Sequence, residues 1–321
     1  MSGESTYRIG PLYRNHPKRE NPNSSVGEHR RPLRCSSGWM AGLPTASTVP
    51  SAARACIGRL LEQERPVHPD STYLHPGAHH RVRERHRHKV VRYINEVAEE
   101  FGLLVQTGGL ACNYFDRYLA TLLSFSSVTS RDMQMVASTC LLIAAKFLEG
   151  KMLLLSELSQ VHNCEVRPTE FAVLETSILT TLKWDLHVPM PHAFIDLLRA
   201  TLPSTLIDPR VHECLHFFID LSVYDYALLI YSPAEICAGA LLAAWKFSQN
   251  DAAVEAQLPA LAYNCWTGQE RLLACANGLV QDCQACFPDT VDSSKLLLRI
   301  PDEPKVVRQT PRGSPKSVLD S

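Results

Sequence analysis

Long hydrophobic runs are missing from this sequence. No stretch of roughly eighteen or more residues is apolar enough to cross a bilayer, and the opening residues MSGESTYRIG lack a signal-type hydrophobic core. The expectation is an intracellular protein with no membrane partner. A charge of one sign is missing too: 32 Lys and Arg stand against 33 Asp and Glu, for a net charge of -1. The chain as a whole has no electrostatic pull toward nucleic acid, so no direct nucleic-acid contact is expected. Alternating strand patterns last no more than a few residues. There is no phosphate-binding glycine loop, no G-x-S-x-G, no H-E-x-x-H and no paired C-x-x-C. Neither an enzyme nor a bound cofactor or metal follows from such a sequence.

Cysteine is present, at 11 residues, but not in a pattern that implies cross-links. Cys112, Cys140, Cys214, Cys237 and Cys275 fall inside apolar helical patterns, where a free thiol behaves as a small hydrophobe. Cys283 and Cys286 form a lone C-x-x-C without a second pair or a nearby histidine, and a structural helix face is the simpler reading. The histidines from His75 to His88 are interleaved with arginines that would repel a cation, which makes the run a solvated basic segment.

What the sequence does have is helical periodicity, centred on SRDMQMVASTCLLIAAKFLEG from Ser130 to Gly150. This stretch is apolar or small on nearly every side between Met133 and Ala145, the pattern of a helix buried all round. Around it lie helical segments from Ser51 to Pro66 (Ile57, Leu60 and Leu61 on one face), through Val90 to Phe101 with Gly102 as terminator, from Gly108 to Ser124, from Leu153 to Val161 and from Pro168 to Leu182. The pattern then begins again. LLIAAKF at Leu141 to Phe147 recurs as LLAAWKF at Leu241 to Phe247, one hundred residues on. Helical segments at Pro191 to Thr201, Val211 to Tyr224, Val254 to Tyr263 and Thr267 to Phe287 surround the second copy, the last with a capping box at Thr267 to Glu270.

The predicted fold is all-α, two tandem five-helix bundles each built round a buried third helix. The expected boundaries are a disordered tail over 1–52, a first bundle with its preceding helix over 53–187, a second over 188–290, and a disordered regulatory tail over 291–321, the tails being rich in Pro, Gly, Ser and Arg without period.

Two charged pairs stand out. NYFDRYL, Asn113 to Leu119, places Asp116 in an apolar helix. A buried carboxylate requires a partner, for which Arg87 is the candidate; the alternative is an exposed Asp116 beside Arg117. Lys146 and Glu175 sit at the end of, or within, otherwise apolar helices. Lys146 is either half of a functional pair or a cation well placed at a helix C-terminus.

NYFDRYL, QMVASTCLLIAAKFLE and the run E-x-x-I-L-x-x-L-x-W-D-L from Glu175 to Leu186, taken with the duplication, resemble the cyclins over about Ala55 to Pro288. The stretch LLEQERPVHPDSTYL before the first bundle is most similar to that of the D-type cyclins. The resemblance implies a cell-cycle regulatory subunit of a cyclin-dependent kinase, active at a G1/S-like stage and found in nucleus and cytoplasm. It implies that Lys146 donates to kinase carbonyls, that Glu175 accepts from the kinase, and that Phe147, Leu179 and Trp184 form an apolar floor around them. Arg87 and Asp116 become an internal bridge between two helices. With Trp245 in place of Ala145, the second copy is expected to be too bulky for the kinase to approach.

Departures from the family pattern are local. The family's groove for Arg-x-Leu motifs is matched here by His86, Arg87, His88, Lys89 and Val90, with Tyr93 and Glu96 keeping the aromatic and acidic members. Lys89 puts a charge where that groove wants an aliphatic group. The Leu-x-Cys-x-Glu motif for retinoblastoma-like proteins is matched only by Leu33 to Ser37, without the acid. In the C-terminal tail, Thr310 and Ser314 precede prolines at the spacing of a doubly phosphorylated degradation signal, which implies a ubiquitin-ligase adaptor as a second partner. Alternatives are a cyclin of the transcriptional-kinase group and a DNA-binding initiation factor of the same tandem fold. The second wants an N-terminal zinc ribbon, and only Cys35 and Cys56 precede the first bundle.

Overall fold

The computed structural model describes residues 49–74, 82–122, 130–150 and 153–287. Among them the chain is all-α, with eleven α-helices, short 3-10 turns and no strand. Residues 49–52, assigned to the N-terminal tail from sequence, open the first helix. Leu33 to Ser37, His75 to Arg81, Thr310 and Ser314 lie outside the described residues, as do the remainders of both tails.

The buried centre of the first bundle is α4 (Ser130–Leu148). Every residue from Val136 to Ala145 is buried. Each large aliphatic side chain enclosed in this way contributes about 1.5–3 kcal/mol, which is why the remaining helices are arranged round this one. They are α2 (Glu84–Glu100), α3 (Val105–Leu122), α5 (Leu155–Val161) and α6 (Pro168–Thr181); α2, α3 and α6 pack directly on α4. Gly102 ends α2 as its position predicts: its φ of 64° lies in the left-handed region, and Leu103 N–H returns to Ala98 O at 2.9 Å. Helix α3 starts three residues earlier than the glycine pair suggested. The carboxylate of Glu149, just past α4, accepts from Leu104 N–H at 2.7 Å and Thr107 Oγ1 at 2.6 Å and so holds that extra turn.

The second bundle repeats the plan around α9 (Pro233–Phe247), buried from Ala234 through Trp245. Here the segment expected as one helix from Pro191 to Thr201 is divided. A 3-10 turn over Pro191–Phe194 closes with Ala193 N–H on Met190 O, and a five-residue α7 (Ile195–Arg199) follows. Helices α8 (Pro209–Ser222), α10 (Asp251–Asn264) and α11 (Gln269–Cys286) complete it. Asp208 caps α8 at Val211 N–H, and Ser232 and Glu235 form a reciprocal capping box on α9. The box expected at Thr267 does not form. Glu235, 5% exposed, needs donors more than α11 needs a cap, and it takes the Thr267 hydroxyl at 2.5 Å and Arg271 Nε at 2.6 Å.

Gly239 replaces Thr139 of the first copy for a visible reason. A Cβ there would stand 2.7 Å from Cys275 Sγ, so only glycine lets α11 pack this closely on α9. The ten cysteines among the described residues are free thiols, and Cys283 is buried on the inner face of α11 while Cys286 is exposed.

Helix α1 (Val49–Glu64) departs from its expected place. It precedes the first bundle in sequence, yet Ile57 and Leu61 are buried in the core of the second, with Phe194, Leu198 and Trp245. The segment that follows also lies against the second bundle, where His68 Nε2 meets Leu229 O at 2.8 Å. The two bundles are therefore tied by the chain that leads into the first.

Candidate partner-binding site

The core of α4 ends abruptly. Ala145 is fully buried, whereas Lys146, Phe147 and Leu148 are exposed. Lys146 Nζ reaches Glu175 Oε1 on α6 at 2.6 Å, with the side chains 38% and 16% exposed. Lys146 stands in the last turn of its helix, where a cation is favoured, and it is paired with Glu175. Glu175 keeps a second oxygen for a further donor, and Lys146 has further protons to give.

Exposed apolar side chains flank this pair in the chain. Phe147 is 45% exposed and Trp184 67%. Trp184 owes its position to the end of α6, where Lys183 and Trp184 both adopt left-handed φ values of 56° and 60°. Trp184 N–H bonds Leu179 O and Lys183 N–H bonds Thr180 O, each at 3.0 Å, closing the helix with two non-glycine residues in a conformation that costs each of them. Leu179 differs from the others: it is half-buried and packs on the first bundle's core, so it supports the surface rather than forming it. Val173 (72%), Leu154 (50%) and Leu104 (55%) are exposed apolar residues that sequence reasoning passed over. The signal for Val173 was available, since it falls off the Phe171, Leu174, Ile178 stripe of α6. Glu149, which fixes the α3 end beside this surface, gave no such signal.

The second copy lacks the arrangement, though not for the expected reason. Trp245 is no surface obstacle. Like Ala145 it is fully buried, and its indole Nε1 donates to Leu206 O at 2.7 Å. What differs at the surface is that Lys246 pairs with neutral Asn277 Oδ1 at 2.9 Å instead of a carboxylate, and Phe247 is 2% exposed against 45% for Phe147.

The expected groove on α2 is also changed. Val90 and Tyr93 do not line a surface; each is 1% exposed, and the Tyr93 hydroxyl is 2.8 Å from Ser138 Oγ, itself 2.9 Å from His162 Nε2. His86 and Lys89 are half-exposed, and His86 Nδ1 accepts from Arg83 N–H at 2.9 Å. Glu96 is bound to Arg92 at 2.7 Å on the outer face. Helix α2 thus buries its aliphatic stripe and turns basic groups outward.

Arg87 and Asp116 meet as a bidentate pair, Nε–Oδ1 and Nη2–Oδ2 both 2.8 Å, with each side chain 1% exposed. Burial pulls the Arg87 pKa down, but the adjacent Asp116 carboxylate outweighs it and raises it overall. Tyr73 donates to Asp116 Oδ1 at 2.7 Å, and Arg87 Nη1 donates to Val223 O of the second bundle at 3.1 Å. The bridge thus joins α2, α3, the leading segment and the second bundle. Sequence spacing could identify the pair but not this last contact.

Comparison with known proteins now bears directly on this architecture. A family model for the cyclin N-terminal domain matches residues 56–187, and one for the cyclin C-terminal domain matches residues 189–294. The chain belongs to the cyclin family. It is 29% identical over 245 residues to the G2/mitotic-specific cyclin S13-6 of Glycine max, covering 74% of this chain and 48% of that one. Cyclin-A1-2 of Arabidopsis thaliana is 31% identical over 157 residues, 48% of this chain and 35% of that one. This cyclin therefore spans about half the length, or less, of these two relatives. Its fold is like that of a viral cyclin from herpesvirus saimiri, with a TM-score of 0.53 at 21% identity, over 64% of this chain and 87% of that one.

Proposed function

We propose that this cyclin is a non-catalytic regulatory subunit that binds and activates a cyclin-dependent kinase through the Lys146 and Glu175 end of its first bundle. The observation that carries this reading is the charged pair, flanked in the chain by exposed apolar side chains, at the end of a buried helix, in one copy of a duplicated unit and not in the other. Lys146 donates to backbone carbonyls of the kinase, Glu175 accepts from its N–H groups, and Phe147 and Trp184 supply apolar contact. Binding energy spent preferentially on the active kinase conformation shifts its population.

The finer reading, a D-type cyclin acting at G1/S, rests on LLEQERPVHPDSTYL alone. The relatives' names, G2/mitotic-specific and A-type, favour a later stage. Phosphorylation of Thr310 and Ser314, read by a ubiquitin-ligase adaptor, would end the protein's life, and action on nuclear and cytoplasmic substrates fits a cell-cycle role. The test is purification of the tagged chain from synchronised dividing cells, with mass spectrometry of what copurifies and a phosphorylation assay of the complex. Recovery of a kinase whose activity depends on this chain supports the proposal, and its abundance across the cycle decides the timing. Recovery of no kinase at any stage overturns it.

A further inference from the structure

Three histidines and an aspartate meet where the chain enters the second bundle. His192, in the 3-10 turn that opens it, has its ring centroid 5.4 Å from that of His216 on α8, and His216 lies 4.6 Å from His212 one turn earlier. Asp220 follows one turn later. His212, His216 and Asp220 thus form one stripe at four-residue spacing, facing His192. His192 Nε2 is 3.2 Å from Asp220 Oδ1, and Asp220 is 8% exposed. His192 Nδ1, His212 Nδ1 and Asp220 Oδ1 are all buried without a hydrogen-bond partner, an unusual concentration of unsatisfied atoms. Among the described residues no group of histidine, cysteine and carboxylate side chains is arranged to hold a metal ion, which leaves proton binding as the chemistry of this cluster.

The titratable groups acting on His216 are His192 and Asp196 from the turn and α7, and His212 and Asp220 from its own helix. The other helices packed on α8 carry, on α9, Glu235 paired with Arg271 and Lys246 bonded to Asn277, and, on α11, exposed Glu270 as well as Asp282 beside Asp225. One carboxylate, Asp220, meets His192 at 3.2 Å and lies one turn from His216 on α8. It can neutralise one imidazolium and not two.

We propose that this cluster is a proton-sensitive latch, in which neutral imidazoles hold the Pro191–Phe194 turn on α8 and a second protonation puts like charges in contact and loosens the entry to the second bundle. Burial, reinforced by His192 and His212, holds His216 below the ordinary histidine range. The sign follows from linkage. At mildly acidic pH the folded chain binds fewer protons here than the unfolded chain, so the stabilisation is present above the ordinary histidine pKa and is lost as pH falls through the folded value. Glu64 and Asp282, whose pKa values are pushed up to about 7, act in the opposite direction and cannot produce the same loss.

The test is an NMR titration of the histidines in the full chain from about pH 8 to about pH 5, with thermal unfolding over the same range. His216 should titrate below the ordinary histidine range, and the melting temperature should fall with pH. His216→Phe and His192→Gln should each reduce that fall, the remainder coming from His68, His86 and His162, which burial also holds below the ordinary histidine range. If His216→Phe does not fold, the wild-type titration and His192→Gln decide. A His216 that titrates in the ordinary histidine range, or variants that keep the wild-type slope, would overturn the latch.

Discussion

The ammonium of Lys146 stands 2.6 Å from the carboxylate of Glu175, while its counterpart Lys246 stands 2.9 Å from the amide oxygen of Asn277. Duplication preserved a lysine at the end of each central helix. The carboxylate partner, with its spare acceptor capacity, is found only in the first copy.

Because the Lys146 and Glu175 pair is partly exposed, it contributes little to folding, about 0–1 kcal/mol. Lys146→Ala with Glu175→Ala should leave the helical circular-dichroism signal and melting temperature nearly unchanged and abolish kinase copurification. Unchanged copurification would refute the site.

Trp184 and Trp245 should separate surface from core. Trp184→Ala, at an exposed position, should change stability by within roughly 0.5 kcal/mol yet weaken kinase binding. Trp245→Ala empties a fully buried site and loses the bond to Leu206 O, and should cost about 3–5 kcal/mol in urea denaturation. Equal stability losses for the two variants would contradict these assignments.

Arg87→Ala leaves Asp116 charged, buried and short of its partner, and Asp116→Ala does the same to Arg87. Each should cost roughly 3–5 kcal/mol. Since Arg87 also bonds Val223 O, its loss should increase hydrogen exchange on the neighbouring part of the second bundle as well as in α2 and α3. Exchange changes confined to the first bundle would show that the bridge does not couple the two.

Glu64 ties α1 to the start of α9 with its Oε2 buried and unpartnered, and burial pushes its pKa up to about 7 with Glu235 adding to the rise. The folded chain therefore binds more protons there than the unfolded one, and the stabilisation, full below the unfolded value, is lost as pH rises through about 7. Glu64→Gln should raise the melting temperature at alkaline pH more than at acidic pH. An equal effect at both would place the carboxyl in water rather than in the α1 contact.

Much of the fold was legible because burial leaves a periodic trace. The run from Val136 to Ala145 could only be a helix enclosed on every side, and its near-copy from Ile236 identified the second bundle. Asp116 in NYFDRYL and Arg87 could be matched because a buried charge has few solutions. Trp245 was misread for a related reason. An alanine and a tryptophan at equivalent positions look like a difference of surface, but the interior volume that each must fill is set by other helices. Val90 and Tyr93 were likewise taken for groove residues when their helix turns them inward.

The sequence by itself determined the helices, their duplication and the residue types at the Lys146 and Glu175 pair, because hydrophobic period and charge placement are local properties of the chain. Only the tertiary structure decided that α1 belongs to the second bundle's core, that Arg87 reaches across to Val223, and that His192 meets both His216 and Asp220 of α8. Those contacts join residues far apart in sequence, and their existence depends on how the helix axes pack, a matter of shape and volume that no periodicity records.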